Sequence, residues 1–312
     1  MDEDEVNRGM SPKLMEAASH RIGTMRFGRH SIPGQGRMAD AVGKLAGWIG
    51  GSRGIASPWP GVRFEADLND RVQRQMWAGV YEQHVRHCLD VLLQPGDGYI
   101  DVGGHIGYHA VAAAHRVGAS GRVTAFEADP AMYERLTRNL EQFSWAQTVH
   151  AAVWHSSGTL TFERSSNKHE SGWGTLADVG DLGTGDHVDV RAVSLDDWFR
   201  DAGAARWDAM KLDAEGSELA VLRGAENAIE RFRPFLILEI NGIVLKQAGF
   251  SAGAVMEFLT ARGYNMYQLS FRHLERWDLA KHGEFSEALC LPGEHEEADL
   301  GRLVRAGFDR PK

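Results

Sequence analysis

The sequence predicts an α/β fold: a mostly parallel seven-stranded sheet with helices on both faces, preceded by a glycine-rich N-terminal arm. Three observations predict it. Short apolar runs recur from Tyr99 to Cys290, helical stretches separate the early and central ones, and a glycine turn joins the first run to the first of those helices. Strand–helix alternation with crossovers of this length implies parallel pairing with both faces covered.

In chain order, residues 1–57 carry Gly23, Gly28, Gly34, Gly36, Gly43, Gly47, Gly50, Gly51 and Gly54, a density that weakens helices and strands. They are expected to form a loosely packed arm, or else a lid or homodimer contact carried by Met38, Leu45, Trp48 and Ile49. The main domain is expected over residues 58–292. It opens with an extended piece, Val62 to Leu68, and a helix with apolar positions at Val80, Val85, Cys88, Leu89 and Leu92. Strands are expected at Tyr99–Val102, Arg122–Glu127, Gln147–Val153, Ala209–Asp213, Phe235–Ile240, Asn265–Leu269 and Ala288–Leu291. Helices are expected at 107–117, 130–142, 216–231 and 251–262. Ser165 to Asp189 reads as a polar loop, and residues 293–312 as a surface tail.

Composition narrows the function. The 312 residues carry 34 Lys+Arg and 43 Asp+Glu, a formal charge of −9. Eight of the acids lie in Asp2–Glu5 and Glu294–Asp299, so the body is close to neutral and has no basic stripe of the kind phosphate binding wants; no nucleic-acid partner is expected. No apolar run approaches the roughly 20 residues of a membrane span. Cys88 and Cys290 are too far apart in sequence for a zinc motif, and Met-Asp-Glu-Asp-Glu has the wrong sign for a targeting peptide. A reducing, cytoplasmic location is the expectation.

The glycine turn is Asp101-Val-Gly-Gly-His-Ile-Gly107. Gly103, Gly104 and Gly107 permit a tight turn with close approach of a ligand or a neighbouring strand. The dinucleotide fingerprint needs a third spacing, and His105 breaks it. Asp101 would also repel a pyrophosphate. An acid at this strand end suits S-adenosylmethionine, which carries an ammonium and a sulfonium and no phosphate. Glu127 ends the second strand, where a carboxylate can accept from both ribose hydroxyls.

These residues belong to a larger pattern. Gly96-Asp-Gly-Tyr-Ile-Asp-Val-Gly-Gly-His-Ile-Gly-Tyr108, Gly121-Arg-Val-Thr-Ala-Phe-Glu127, Val193-Ser-Leu-Asp-Asp197, Lys211-Leu-Asp-Ala-Glu-Gly-Ser-Glu218 and Arg233-Pro-Phe-Leu-Ile-Leu-Glu239 resemble, in order and spacing, the FkbM family of S-adenosylmethionine-dependent methyltransferases. The Lys-x-Asp-x-Glu-Gly-x-Glu block is the specific part. The resemblance covers about residues 77–240 and implies a Rossmann-like class I methyltransferase fold. Members commonly have Ala-Asn where this chain has Gly104-His105, and proline directly after the ribose acid, where this chain has Ala128-Asp129-Pro130. The cofactor set is then Asp101, Gly103, Gly104, His105, Gly107, Glu127, Ala128 and Asp213. Adenine is expected on Ala152 and Val153, with Trp154 and Ser156 nearby, and Tyr81-Glu82 resembles a family feature closing the methionine end.

Ligands of an open parallel sheet gather outside the carboxyl ends of its strands. Lys211, Asp213, Glu215, Glu218, Glu239 and Asn241 sit there in sequence. Methyl transfer needs the acceptor aligned and its proton removed. Two mechanisms stay open. Asp213, Glu239 and Asn241 could hold Mg²⁺ or another divalent cation, a layout similar to catechol O-methyltransferases. Alternatively Asp213, His105, His109 or His169 takes the proton directly. Lys211 and Glu215 could simply pair with each other, and Glu218 could serve the helix dipole. In the loop, Trp173 and Leu176 could line an acceptor pocket, with Arg164, Lys168 and His169 meeting polar groups. O-methylation of a hydroxyl on a small polar molecule, such as a sugar, nucleoside or natural-product intermediate, is the expected activity. The alternatives are an RNA or protein methyltransferase, and a non-catalytic cofactor-binding module.

Overall fold

The structure is a computed structural model that describes residues 26–27, 30–31, 35–59, 61–163, 175–176, 186–203 and 206–311. The chain divides into two units, one of residues 1–83 with 167–172 and one of residues 84–166 with 173–312.

In the first unit, β1 (Arg26–Phe27) pairs with β2 (His30–Ser31), α1 spans Gln35–Gly50, and β3 (Arg53–Ala56) pairs antiparallel with β4 (Phe64–Asp67) before α2 (Arg71–Trp77). The glycine-rich arm is therefore not loosely packed where it is described. Its glycines admit neighbours: a Cβ on Gly43 would meet the Arg74 side chain at 2.7 Å, and one on Gly47 would meet Leu68 Cβ at 3.2 Å. Buried Arg74 donates to Leu68 O (2.7 Å) and pairs with Asp40 (2.6 Å). Asp70 caps α2 by accepting from Gln73 N at 2.9 Å. The boundary expected after residue 57 falls inside the β3–β4 pair. Leu45 and Trp48 on α1 are exposed, Trp48 at 84%.

The second unit runs α3 (Gln83–Leu92), β5 (Gly98–Val102), α4 (Tyr108–Val117), β6 (Arg122–Glu127), α5 (Pro130–Leu140), β7 (Ala146–His150), β8 (Ala152–Val153), β9 (Gly158–Glu163), β10 (Thr175–Leu176) and β11 (His187–Val193). It continues with α6 (Leu195–Ala202), β12 (Ala209–Leu212), α7 (Glu218–Arg223), α8 (Glu226–Phe232), β13 (Phe235–Asn241), α9 (Gly242–Gln247) and α10 (Ala252–Thr260). β14 (Tyr264–Ser270), β15 (His273–Arg276), α11 (Leu279–His282), β16 (Phe285–Pro292) and α12 (Glu296–Arg305) complete it.

The large sheet has the order β15-β14-β16-β13-β12-β5-β6-β7. β13, β12, β5, β6 and β7 are parallel, and β16 is antiparallel between β13 and β14. The expected α/β Rossmann-like architecture holds, with seven strands in the expected regions and an eighth, β15, added as an edge hairpin. The chain leaves β5 for β6 and β7 on one side and returns to β12 and β13 on the other. The switch in strand order thus falls between β5 and β12, where ligand crevices form.

Alternate strand positions Ile100, Val102, Met210, Leu212, Leu236, Leu238, Ala288 and Cys290 lie in one apolar core with Leu222, Ile229, Leu245 and Val255 from the helices. The positions between them, on the opposite face, carry the charged groups described below. Both cysteines are free and buried, and burial pushes their thiols upward in pKa.

Several local expectations change. The single helix expected over 216–231 breaks at Gly224, where a Cβ would meet Trp154 O at 2.2 Å. The polar region before Val193 is partly sheet: β9, β10, β11 and β8 form a second sheet over a core of Ala152, Trp154, Phe162, Leu176, Val190 and Ala192. The expected surface tail contains α12, which buries Leu300 and Leu303, while Arg302 donates to Val91 O and Leu92 O at 2.6 Å each. Arg164, Lys168, His169 and Trp173 lie outside the described residues. No described helix is long and apolar enough to cross a membrane.

Candidate functional site

The glycine turn is shaped by its neighbours. Gly103 has φ +76°, and a Cβ there would lie 1.8 Å from Asp213 O; Gly107 has φ +89° and precedes α4. These glycines therefore let the turn press against the end of β12 and against Leu136. Gly103 N and Gly104 N both donate to Phe126 O (3.1 and 2.9 Å), and Asn139 Nδ2 donates to Ile106 O (2.8 Å). His105, at φ +51°, donates its N–H to Glu127 Oε2 (2.8 Å), and Asp129 N donates to Glu127 Oε1 (2.8 Å). Asp129 also caps α5, with Pro130 at its first position, which accounts for the spacing between ribose acid and proline.

Glu127 is 9% exposed, and burial pushes its pKa up to about 7, against the stabilising backbone N–H bonds. The His105 and Asp129 N–H groups each hold one oxygen, the Ala128 N–H also acts on the carboxylate, and with about four acceptor positions the group retains room for a ligand donor. The raised value has a defined sign. Below about pH 4.5 the group is protonated folded or unfolded; above it only the unfolded form ionises, so this group lowers stability as pH rises from 4.5 to about 7. A diol donating to the carboxylate favours its ionised form. Ligand affinity at Glu127 should therefore weaken as pH falls through about 7, with proton uptake or release visible in calorimetry across buffers of different ionisation enthalpy. A pH-independent affinity between 5.5 and 8.5 (on the order of one and a half units either side of that value) would contradict it.

At the switch point, Asp101 (2% exposed) lies in register with Lys211 (2% exposed). Lys211 Nζ donates to Asp213 Oδ2 at 2.7 Å, so the lysine is paired with Asp213. Asp213 and Glu239 follow the paired Leu212 and Leu238, and Glu239 is in turn in register with Glu287 on β16. Three carboxylates thus meet on one face: Asp213 and Glu239 at the carboxyl ends of β12 and β13, and Glu287 near the amino end of antiparallel β16. Glu239 is pushed up to about 10, first by the charge of Asp213, then by burial and by Glu287. Lys211 pairs with Asp213, and the charge of Asp213 favours the protonated form of Glu239. Glu215, at φ +47°, is raised by burial, Asp213 and Glu218.

Asn241 also caps α9, its Oδ1 accepting from Val244 N (3.3 Å), and Glu287 lies in register with Glu239. Ala152 and Val153 follow β7 as expected, and their side chains pack into the two apolar cores. Glu82, at φ +35°, belongs to the first unit. Buried His109 lies edge-on to Tyr108. Sequence reasoning missed Glu287, whose signal is its place in a strand antiparallel to Glu239. It also missed His150, in register with Glu127, stacked on Tyr133 (4.7 Å between rings) and bonded to Ala128 O. Beyond β13 an open groove of about 720 Å³ is lined by Gly242, Ile243, Lys246, Leu279 and Gly283.

The family model described as Methyltransferase FkbM domain matches residues 101–266, more than half of the chain and the whole span from Asp101 to Glu239. The chain belongs to the FkbM methyltransferase family. Among curated members of wider kinship, it is 28% identical over 165 residues to hexuronic acid methyltransferase AglP of Haloferax volcanii, covering 51% of this chain and 62% of that protein. It is 27% identical over 169 residues to methyltransferase sdnD of Sordaria araneosa, covering 45% of this chain and 65% of that protein. The matches span less than two thirds of either relative's length. The crystal structure of methyltransferase FkbM from Methylobacillus flagellatus is 15% identical, with 70% of this chain and 53% of that one covered at a TM-score of 0.41. In the FkbM chain described here, the family match contains the glycine turn, Glu127 and the Lys211–Asp213 pair together.

Proposed function

We propose that this FkbM-family chain transfers a methyl group from S-adenosylmethionine to a hydroxyl of a small polar acceptor. The observation that carries the reading is the switch-point arrangement: a glycine turn with the ribose-type acid Glu127 on one side, and the Lys211–Asp213 pair beside Glu239 on the other. The donor set fits the cofactor, because the Glu127 carboxylate retains acceptor capacity and Asp101 is an acid at the turn's base. When bound, S-adenosylmethionine supplies an electrophilic methyl; a carbon–oxygen bond forms as the carbon–sulfur bond breaks, with the electron pair going to sulfur. Glu127 would orient the ribose through its free lone pairs. Asp213, fixed by Lys211, would take the acceptor's hydroxyl proton and pass it to solvent. Neutral Glu239 would donate to the acceptor and hold it in line. The relative named a hexuronic acid methyltransferase supports a sugar-like acceptor.

Incubation with methyl-labelled S-adenosylmethionine and a panel of sugars, sugar acids, nucleosides and simple polyols tests this reading. Label should move to a hydroxyl-bearing compound; transfer only to RNA or protein would contradict it. Glu239 and Glu287 supply the hard oxygen donors a divalent cation accepts, and such an ion would lower the acceptor hydroxyl's pKa. With Asp213 as the base, turnover should be indifferent to EDTA. Loss of turnover with EDTA, restored by Mg²⁺, would assign the deprotonation to metal assistance.

A further inference from the structure

The turn after β12 holds a carboxylate that the proposed reaction does not use. Glu218 is 2% exposed, and its Oε1 accepts from Ala214 N (3.1 Å) and Gly216 N (3.2 Å). Its Oε2 is buried with no hydrogen-bond partner among the described residues. The turn it grips is conformationally demanding: Glu215 and Gly216 have φ of +47° and +95°, and a non-glycine residue in the left-handed region persists only when its surroundings hold it. Ser217 N donates to Ala214 O (3.1 Å) at one end, and Asp213 N donates to Val102 O (3.1 Å) at the other. Asp213 O also fills the space that a side chain on Gly103 would need.

We propose that Glu218 is a positioning residue: its carboxylate clamps the turn from Asp213 to Ser217 and thereby fixes both the Asp213 side chain and the floor beneath the glycine turn. The proposal rests on the cofactor reading above for what the glycine turn binds. It differs from a dipole role, since the bonds go to the N–H groups of residues 214 and 216, before α7 begins at Glu218. It also differs from acid–base catalysis. A clamp needs an oxygen acceptor at Oε1, not a charge, so glutamine should serve in its place. A proton-transfer group could not be replaced in this way.

The test is titration calorimetry of the full chain with S-adenosylhomocysteine, alongside thermal unfolding, for the wild type, Glu218→Gln, Glu218→Ala and Glu218→Asp. Loss of both bonds to the turn's N–H groups is expected to weaken binding by about tenfold or more in Glu218→Ala, while Glu218→Gln stays within about threefold. Glu218→Asp, one methylene short of the turn, should fall with alanine and stands in for it if alanine does not fold. A lowered unfolding temperature with unchanged Kd in the alanine and aspartate variants would make Glu218 a residue of stability alone and overturn the proposal. So would a glutamine variant as weak as alanine. Absence of binding by the wild type would instead sink the cofactor reading.

Discussion

Gly103→Ala is expected to destabilise the second unit by more than about 4 kcal/mol and to remove cofactor binding. Two effects add. The backbone at Gly103 has φ +76°, which an alanine adopts only with strain, and the new Cβ would lie 1.8 Å from Asp213 O. That neighbour is backbone, so no rotamer change relieves the overlap. Relief requires moving the end of β12, which Asp213 N holds through Val102 O, or moving the turn, which Gly103 N and Gly104 N hold through Phe126 O. Gly104→Ala is the control: its Cβ would sit 3.4 Å from Ala125 Cβ, tight but tolerable, so its cost should be smaller. Urea unfolding of the two variants checks the order. Equal midpoints for Gly103→Ala and the wild type would show that the turn does not press on β12.

The second large effect is expected at Asp213. Lys211 is 2% exposed and donates to Asp213 Oδ2, so Asp213→Ala removes this charged partner from a buried ammonium. Breaking a buried pair from one side costs about 3–5 kcal/mol. Methyl transfer should fall by at least about a hundredfold in addition, through loss of the base. The double variant Lys211→Met with Asp213→Ala separates the two consequences: it should recover most of the stability and none of the activity. Recovery of both would assign Asp213 to structure alone. Removal of the Asp213 charge should also let Glu239 titrate lower, since that charge is the largest cause of its raised value.

Much of the second unit was legible because its strands are short apolar runs and its caps are explicit. Asp129-Pro130 and Ser251 open two of the expected helices, whereas the helix that Ser194 caps was not expected. What was not legible depends on contacts distant in sequence. The glycines of α1 read as flexibility, yet Gly43 and Gly47 make room for Arg74 and Leu68. Gly224 reads as a tolerable helix glycine, yet the backbone of Trp154 passes over it. The alternation His187-Val-Asp-Val-Arg-Ala-Val193 carried a strand signal that the polarity of the surrounding loop obscured.

The site divides the same way. Asp101, Glu127, Lys211 and Asp213 could be picked out because each ends or nearly ends a parallel strand. Glu287 could not, because it enters the row only through antiparallel pairing of β16 with β13. Asn241 stands out by strand position, and its second task, capping the short helix that follows through Val244 N, shows only in the structure.

The central claim is that the glycine turn and Glu127 hold S-adenosylmethionine. Titration calorimetry with S-adenosylhomocysteine tests it most directly. The wild type is expected to bind at one site per chain, with affinity weakened by about tenfold or more in both Asp101→Ala and Glu127→Ala, as when hydrogen bonds to a charged acceptor are removed. No binding by the folded wild type, or unchanged affinity in both variants, would contradict it.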